Sequence, residues 1–161
     1  MNSDFLVSKW ICTEEDFDEM GWHGLPIYAF AVFPETFEIA FDIDYVPKHV
    51  ENENSYDFWV APATLVFWNV LDLEIDIASF NARLEIASIG RTSIGKPKNF
   101  EHIGRDIEWF WEIECTEGTI KFKAVGYHQY MRAAPTFTQW PQLGMEERGG
   151  HSFAREVGTS R

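Results

Sequence analysis

At 161 residues the chain has room for one domain with a sizeable core and is short for two. Its formal net charge of −13 is unevenly placed: residues 1–82 hold 16 acids against Lys9 and Lys48, while residues 83–161 hold 10 acids against 11 bases. This balance argues against nonspecific binding to nucleic acid or to anionic membrane, both of which need positive surface, and is compatible with a basic protein partner. An aromatic share of 16%, with 14 Phe and 7 Trp, favours strands over a helical bundle.

Residues 13–21, TEEDFDEMG, read as a short helix. Thr13 can cap it, Glu14, Glu15 and Asp16 suit its positive end, and Gly21 can terminate it. Residues 27–33, IYAFAVF, suit a strand covered on both faces. Pro34-Glu35-Thr36 then links it, as a hairpin, to an alternating strand over 37–45. There Phe37, Ile39, Phe41, Ile43 and Tyr45 share one face, and Glu38, Ala40, Asp42 and Asp44 the other.

The segment FWVAPATLVFWNVLDLEIDI, residues 58–77, is apolar until its acidic end. Pro62 argues against a central strand running through it, so a buried strand is expected over 64–70. A turn or bulge over 69–72 leads to a half-exposed strand in which Leu73, Ile75 and Ile77 alternate with Asp72, Glu74 and Asp76. Length, Pro62 and the acids exclude a membrane span.

Residues 83–89 form another strand, and 90–104, with three glycines, read as a surface loop that with Arg91, Lys96, Lys98 and the flanking Arg105 is the main basic element. Residues 106–115 alternate again, with Ile107, Trp109, Trp111, Ile113 and Cys115 inward and Glu108, Glu112 and Glu114 outward. The turn Thr116-Glu117-Gly118 returns the chain as a strand over 119–127, placing Lys121 and Lys123 against Glu112 and Glu114. Residues 132–150 read as irregular.

The expected fold is therefore mainly β: an antiparallel curved sheet, sandwich or open barrel with a short N-terminal helix. The whole of 1–161 is one domain, with 1–12 and 156–161 as frayed ends. Cys12 and Cys115 have no metal-like spacing, and the N-terminus MNSDFLVSKW lacks the pattern of a signal peptide. Free thiols and a cytoplasmic address are the corresponding expectations.

Several segments resemble a family of small bacterial β-rich proteins: MGWHG at Met20, FDIDYV at Phe41, the segment from Phe58, IGRTSIGKPKN at Ile89, VGYHQYMR at Val125 and ERGGHSF at Glu147. In that family the Trp-His pair is followed by Asp. Gly24 stands at that place here, so no role of that Asp carries over. The resemblance brings no activity. At the level of fold the arrangement is also similar to immunity proteins that protect bacteria from contact-delivered toxins.

No catalytic constellation stands out, and no cofactor is called for. Asp42, Asp44, Asp72, Glu74 and Asp76 are the candidate partner-binding residues, expected on exposed sheet faces, where they would steer a basic protein. Asp42 and Asp44, with His49 or His23, are the candidate metal ligands, although alternating acids on a strand more often mark a solvated face. A second reading is a small-ligand binder or metal-dependent enzyme with a cavity lined by Trp22, His23, Trp109 and Trp111. The run from Glu147 to Phe153 is expected to be a shaped turn that packs the C-terminus, with Arg148 paired to a carboxylate.

Overall fold

The computed structural model describes residues 5–158. Ten strands account for most of the regular structure: β1 (Ile11–Thr13), β2 (Leu25–Phe33), β3 (Glu38–Glu51), β4 (Tyr56–Trp68), β5 (Leu71–Ile77), β6 (Glu85–Gly95), β7 (Glu108–Cys115), β8 (Gly118–Ala124), β9 (Gly126–Met131) and β10 (Thr136–Thr138). All pair antiparallel in one sheet of order β1-β9-β4-β3-β2-β6-β7-β8-β5, and β10 adds beside β4. The sheet is not closed; β5 ends it at one side and β1 at the other.

Only two residue pairs, Leu25 with Ile86 and Pro26 with Glu85, join β2 to β6, so the sheet has two halves. They fold onto one another. Phe67 of β4 lies 5.0 Å from Trp111 of β7 and 4.8 Å from Phe122 of β8, ring centre to ring centre. Tyr127 packs edge-on against both Phe67 and Trp111. One aromatic core therefore serves both halves, which is where much of the aromatic surplus resides.

The N-terminal segment expected as a short helix is a 3-10 helix, Glu14–Glu19. Thr13 caps it, and the Asp16 carboxylate accepts from the Thr13 backbone N–H, a reciprocal capping box. A four-residue helix, α1 (Phe100–Ile103), follows β6. The span 90–104 is not a loop throughout. β6 runs on to Gly95 because β7 supplies a partner as far as Gly95–Glu108.

Pro62 also departs from expectation: β4 passes through it between β9 and β3. Its missing N–H costs little there. β9 pairs with β4 from Ala63 onward and β10 pairs with it up to Val60, so Pro62 falls in the gap between the two partners. The facing strand β3 also changes register between Tyr45 and Lys48.

The β7–β8 hairpin forms as its alternation implies, with Lys121 opposite Glu112. Lys123 faces Phe110 rather than Glu114, and its ammonium instead meets Asp72 at 2.9 Å. Residues 1–4 and 159–161, which belong to the expected frayed ends, lie outside the described residues. In the described part of those ends, Ile11 and Cys12 of β1 pair with β9, and the Gly158 N–H donates to the Met131 carbonyl. Among the described residues no helix is long and apolar enough to cross a membrane.

Candidate functional site

Asp42 and Asp44 are not exposed; both have 0% of their surface accessible. The period of two does place them opposite Phe41 and Ile43, on the back of the sheet. That back is covered as well, by the chain from Leu143 to Ala154, which crosses it as a strap. The strap turns through Gly149 and Gly150, both left-handed with φ of 79° and 77°. This turn aims Arg148 inward, where it is 4% exposed.

Arg148 forks onto Asp42 through Nη2–Oδ1 at 2.7 Å and Nη1–Oδ2 at 3.1 Å, while its Nε reaches Asp44 Oδ1 at 3.1 Å. Its guanidinium lies 3.8 Å from the centre of the Tyr28 ring. Arg132 adds a second cation, 2.8 Å from Asp42 Oδ1 and 2.8 Å from the Thr64 hydroxyl. The remaining carboxylate lone pairs are met by the Ser152 N–H on Asp42, and by the Leu143 N–H and Tyr28 hydroxyl on Asp44.

Two carboxylates and two guanidiniums thus form a neutral buried network. Burial alone would raise the Asp42 pKa, but hydrogen bonds from Arg148 and Arg132 outweigh it and hold the carboxyl below its ordinary range. Burial and the neighbouring Asp44 carboxylate push the Tyr28 hydroxyl well up, so it stays a donor.

The partner-binding role expected for Asp42 and Asp44 is thereby corrected: a residue without accessible surface meets no partner. The metal reading fails on the same geometry. The lone pairs of both aspartates face arginines and backbone N–H groups. His49 is exposed and packs against Phe58, and His23 is exposed with Nδ1 2.9 Å from the Ala87 carbonyl. Among the described residues no three His, Cys, Asp or Glu side chains converge as a metal site.

The second acidic row behaves differently. Asp72, Glu74 and Asp76 are exposed on β5, as the alternation implies. Their partners Leu73 and Ile77 are half-buried against the core, while Ile75 stays 43% exposed because β5 has a neighbour on one side only. Glu74 pairs across to Lys121, and Glu112 and Glu114 continue the same outer face on β7. Five carboxylates stand there with Lys121 and Lys123 between them.

The four residues expected around a cavity do not line one together. Trp22 and Trp111 are core, at 4% and 0% exposed. Trp22 Nε1 donates to Gln129 at 2.8 Å, and Trp111 Nε1 to the Ala124 carbonyl at 3.1 Å. Trp109 alone faces a cleft, of about 420 Å³, beside Glu14, Arg91, Arg105, Ile107 and Val125. Arg91 lies over Trp109 at 4.1 Å and over Phe17 at 4.4 Å, and its Nη1 donates to the Glu14 carbonyl at 3.1 Å.

Glu14 opens the N-terminal helix as expected, but its burial, at 8% exposed, was not legible in the sequence. Glu108, expected outward, is equally buried. Cys12 and Cys115 are free and half-buried, and burial raises both thiols, Cys115 to about 11, which keeps them protonated and unreactive near neutrality.

No family model, no curated protein and no solved structure matches the chain.

Proposed function

We propose that the protein is a non-enzymatic protein-binding module that docks a basic partner on the outer face of β5, β8 and β7. The observation that carries this reading is the row Asp72, Glu74 and Asp76. It lies exposed on an edge strand, in a face where five carboxylates outnumber two lysines. Like charges on neighbouring strands are tolerated where they face water, and they are relieved when a cationic surface covers them.

An exposed apolar residue beside the row supports docking rather than mere solubility. Leu71 and Ile75 are 37% and 43% exposed next to the acids. Leu71, opposite Lys123, is on the acidic face itself and gives a partner apolar contact inside a charged rim, while Ile75 lies on the inner face at the open edge of β5. An immunity-type role, holding a basic toxin domain by occupancy, fits this surface. It needs no catalytic group on this chain.

The test uses immobilised protein challenged with the basic fraction of its native cell extract, at low and moderate salt. The reading predicts retention of a basic protein at low salt and weaker retention at moderate salt. It predicts none by the triple variant Asp72→Lys, Glu74→Lys, Asp76→Lys, whose melting temperature should match the wild type. Retention that ignores the triple change, or no retention at either salt, contradicts it.

A further inference from the structure

The cleft beside Trp109 contains chemistry that neither the core nor the acidic face explains. Glu14 forms its inner wall. The side chain is 9% exposed, and Oε1 lies 3.3 Å from Arg105 Nη2. The other oxygen, Oε2, is buried and has no hydrogen-bond partner. A buried carboxylate oxygen left without a donor is costly.

The sheet is shaped to hold that carboxylate. A Cβ at Gly126 would lie 2.5 Å from the Glu14 carboxyl carbon and from Oε2, so the carboxylate rests against bare backbone at the first residue of β9. Gly126 pairs with Trp68 across β4. The Trp68 Nε1–H is also buried and unpartnered, and Arg105 lies 5.4 Å from the centre of the Trp68 ring. An orphaned acceptor and an orphaned donor therefore flank the same arginine.

The cationic side is equally underused. Arg91 donates one hydrogen bond, from Nη1 to the Glu14 carbonyl. Its flat guanidinium is fixed between Phe17 and Trp109. Arg105 is 40% exposed and meets Glu14 through Nη2. Both line the cleft, whose apolar wall is Trp109, Ile107 and Val125. At about 420 Å³ the space falls in the range that holds small molecules.

We propose that this cleft binds a small zwitterion, an α-amino acid with an apolar side chain. The geometry selects that class. Opposite charges stand 3.3 Å apart on Glu14 and Arg105, and an α-amino acid carries opposite charges on one carbon and its neighbour. Its ammonium meets the Glu14 carboxylate where that side chain lines the cleft beside Arg105. Its carboxylate accepts from Arg91 and Arg105, a charge-assisted arrangement. Its side chain lies along Trp109 and Ile107. The site is independent of the acidic outer face.

Calorimetric titration of the intact protein with L-leucine and L-phenylalanine tests this, alongside their N-acetyl and C-terminal amide derivatives. The proposal predicts saturable binding of at least one free amino acid, and a loss of tenfold or more (about 1.4 kcal/mol) when either end is capped. The variant Gly126→Ala pushes aside the end of a flexible side chain, not backbone, so it should fold, displace Glu14 and abolish binding. Absence of saturable binding up to about 10 mM (a Kd of 1 mM is about −4.1 kcal/mol) overturns the proposal. So does binding that is indifferent to both caps, or binding unchanged in a folded Gly126→Ala variant.

Discussion

The two acidic rows of this sheet look alike in sequence and meet opposite fates. Asp42 and Asp44 on β3, like Asp72, Glu74 and Asp76 on β5, alternate with large apolar residues. The first pair is sealed beneath a strap and neutralised by Arg148 and Arg132, whereas the second row stays in water with lysines for neighbours. The difference lies in what covers the back of each half. β3 is interior to the sheet and crossed by the C-terminal strap, while β5 is its edge. Alternation reports which residues share a face; it does not report whether that face is wet.

The buried network depends most on Arg148. Arg148→Met leaves Asp42 with Arg132 alone and the buried Asp44 with no cation, and should cost about 3–5 kcal/mol. Denaturant unfolding reads this as a lower midpoint. A loss of less than about 1 kcal/mol would place the network among surface ion pairs instead.

Asp42→Asn comes next, at about 2 kcal/mol, the range for hydrogen bonds to charged groups. It also carries a pH signature. The folded pKa of Asp42 lies below the ordinary 3.8, so its contribution is complete above the unfolded value and is lost as pH falls through the folded one. Acid unfolding of the Asn variant should therefore be less steep below about pH 4. An unchanged acid limb would contradict the assignment.

The strap's turn contributes on a smaller scale. Gly150→Ala places a side chain at φ of 77° and should cost about 1 kcal/mol by destabilising the turn behind Arg148. The smallest effect belongs to the other row: Lys123→Ala removes an ion pair with exposed Asp72 and should leave the melting temperature where it was.

What could be read from sequence was local. The β7–β8 hairpin follows from alternation on both sides of a short turn, and β2–β3 from two strand patterns three residues apart. Burial of Asp42 depends on Arg148, 106 positions away, and no local pattern encodes that pairing. Yet signals existed. Ala40 on the polar face of β3 is small and uncharged, and Arg148 precedes two glycines; together they mark a back face built to be covered. Pro62 misled because its tolerance depends on β9 ending where β10 has yet to begin. The Glu14 cleft had one signal, Gly126 isolated within a strand, which marks a close approach to the backbone. The approaching group comes from the other end of the chain, so the sequence could not name it.

A pair of double-mutant cycles, measured by denaturant unfolding under one condition, tests the central contrast directly. The first combines Arg148→Met with Asp42→Asn; the second combines Lys123→Ala with Asp72→Asn. Strong coupling is expected in the first, at least about 2 kcal/mol, because either single change leaves the buried network with a net charge and the double change restores its neutrality. Additivity is expected in the second. Additivity in the first cycle, or equal coupling in both, would contradict this contrast.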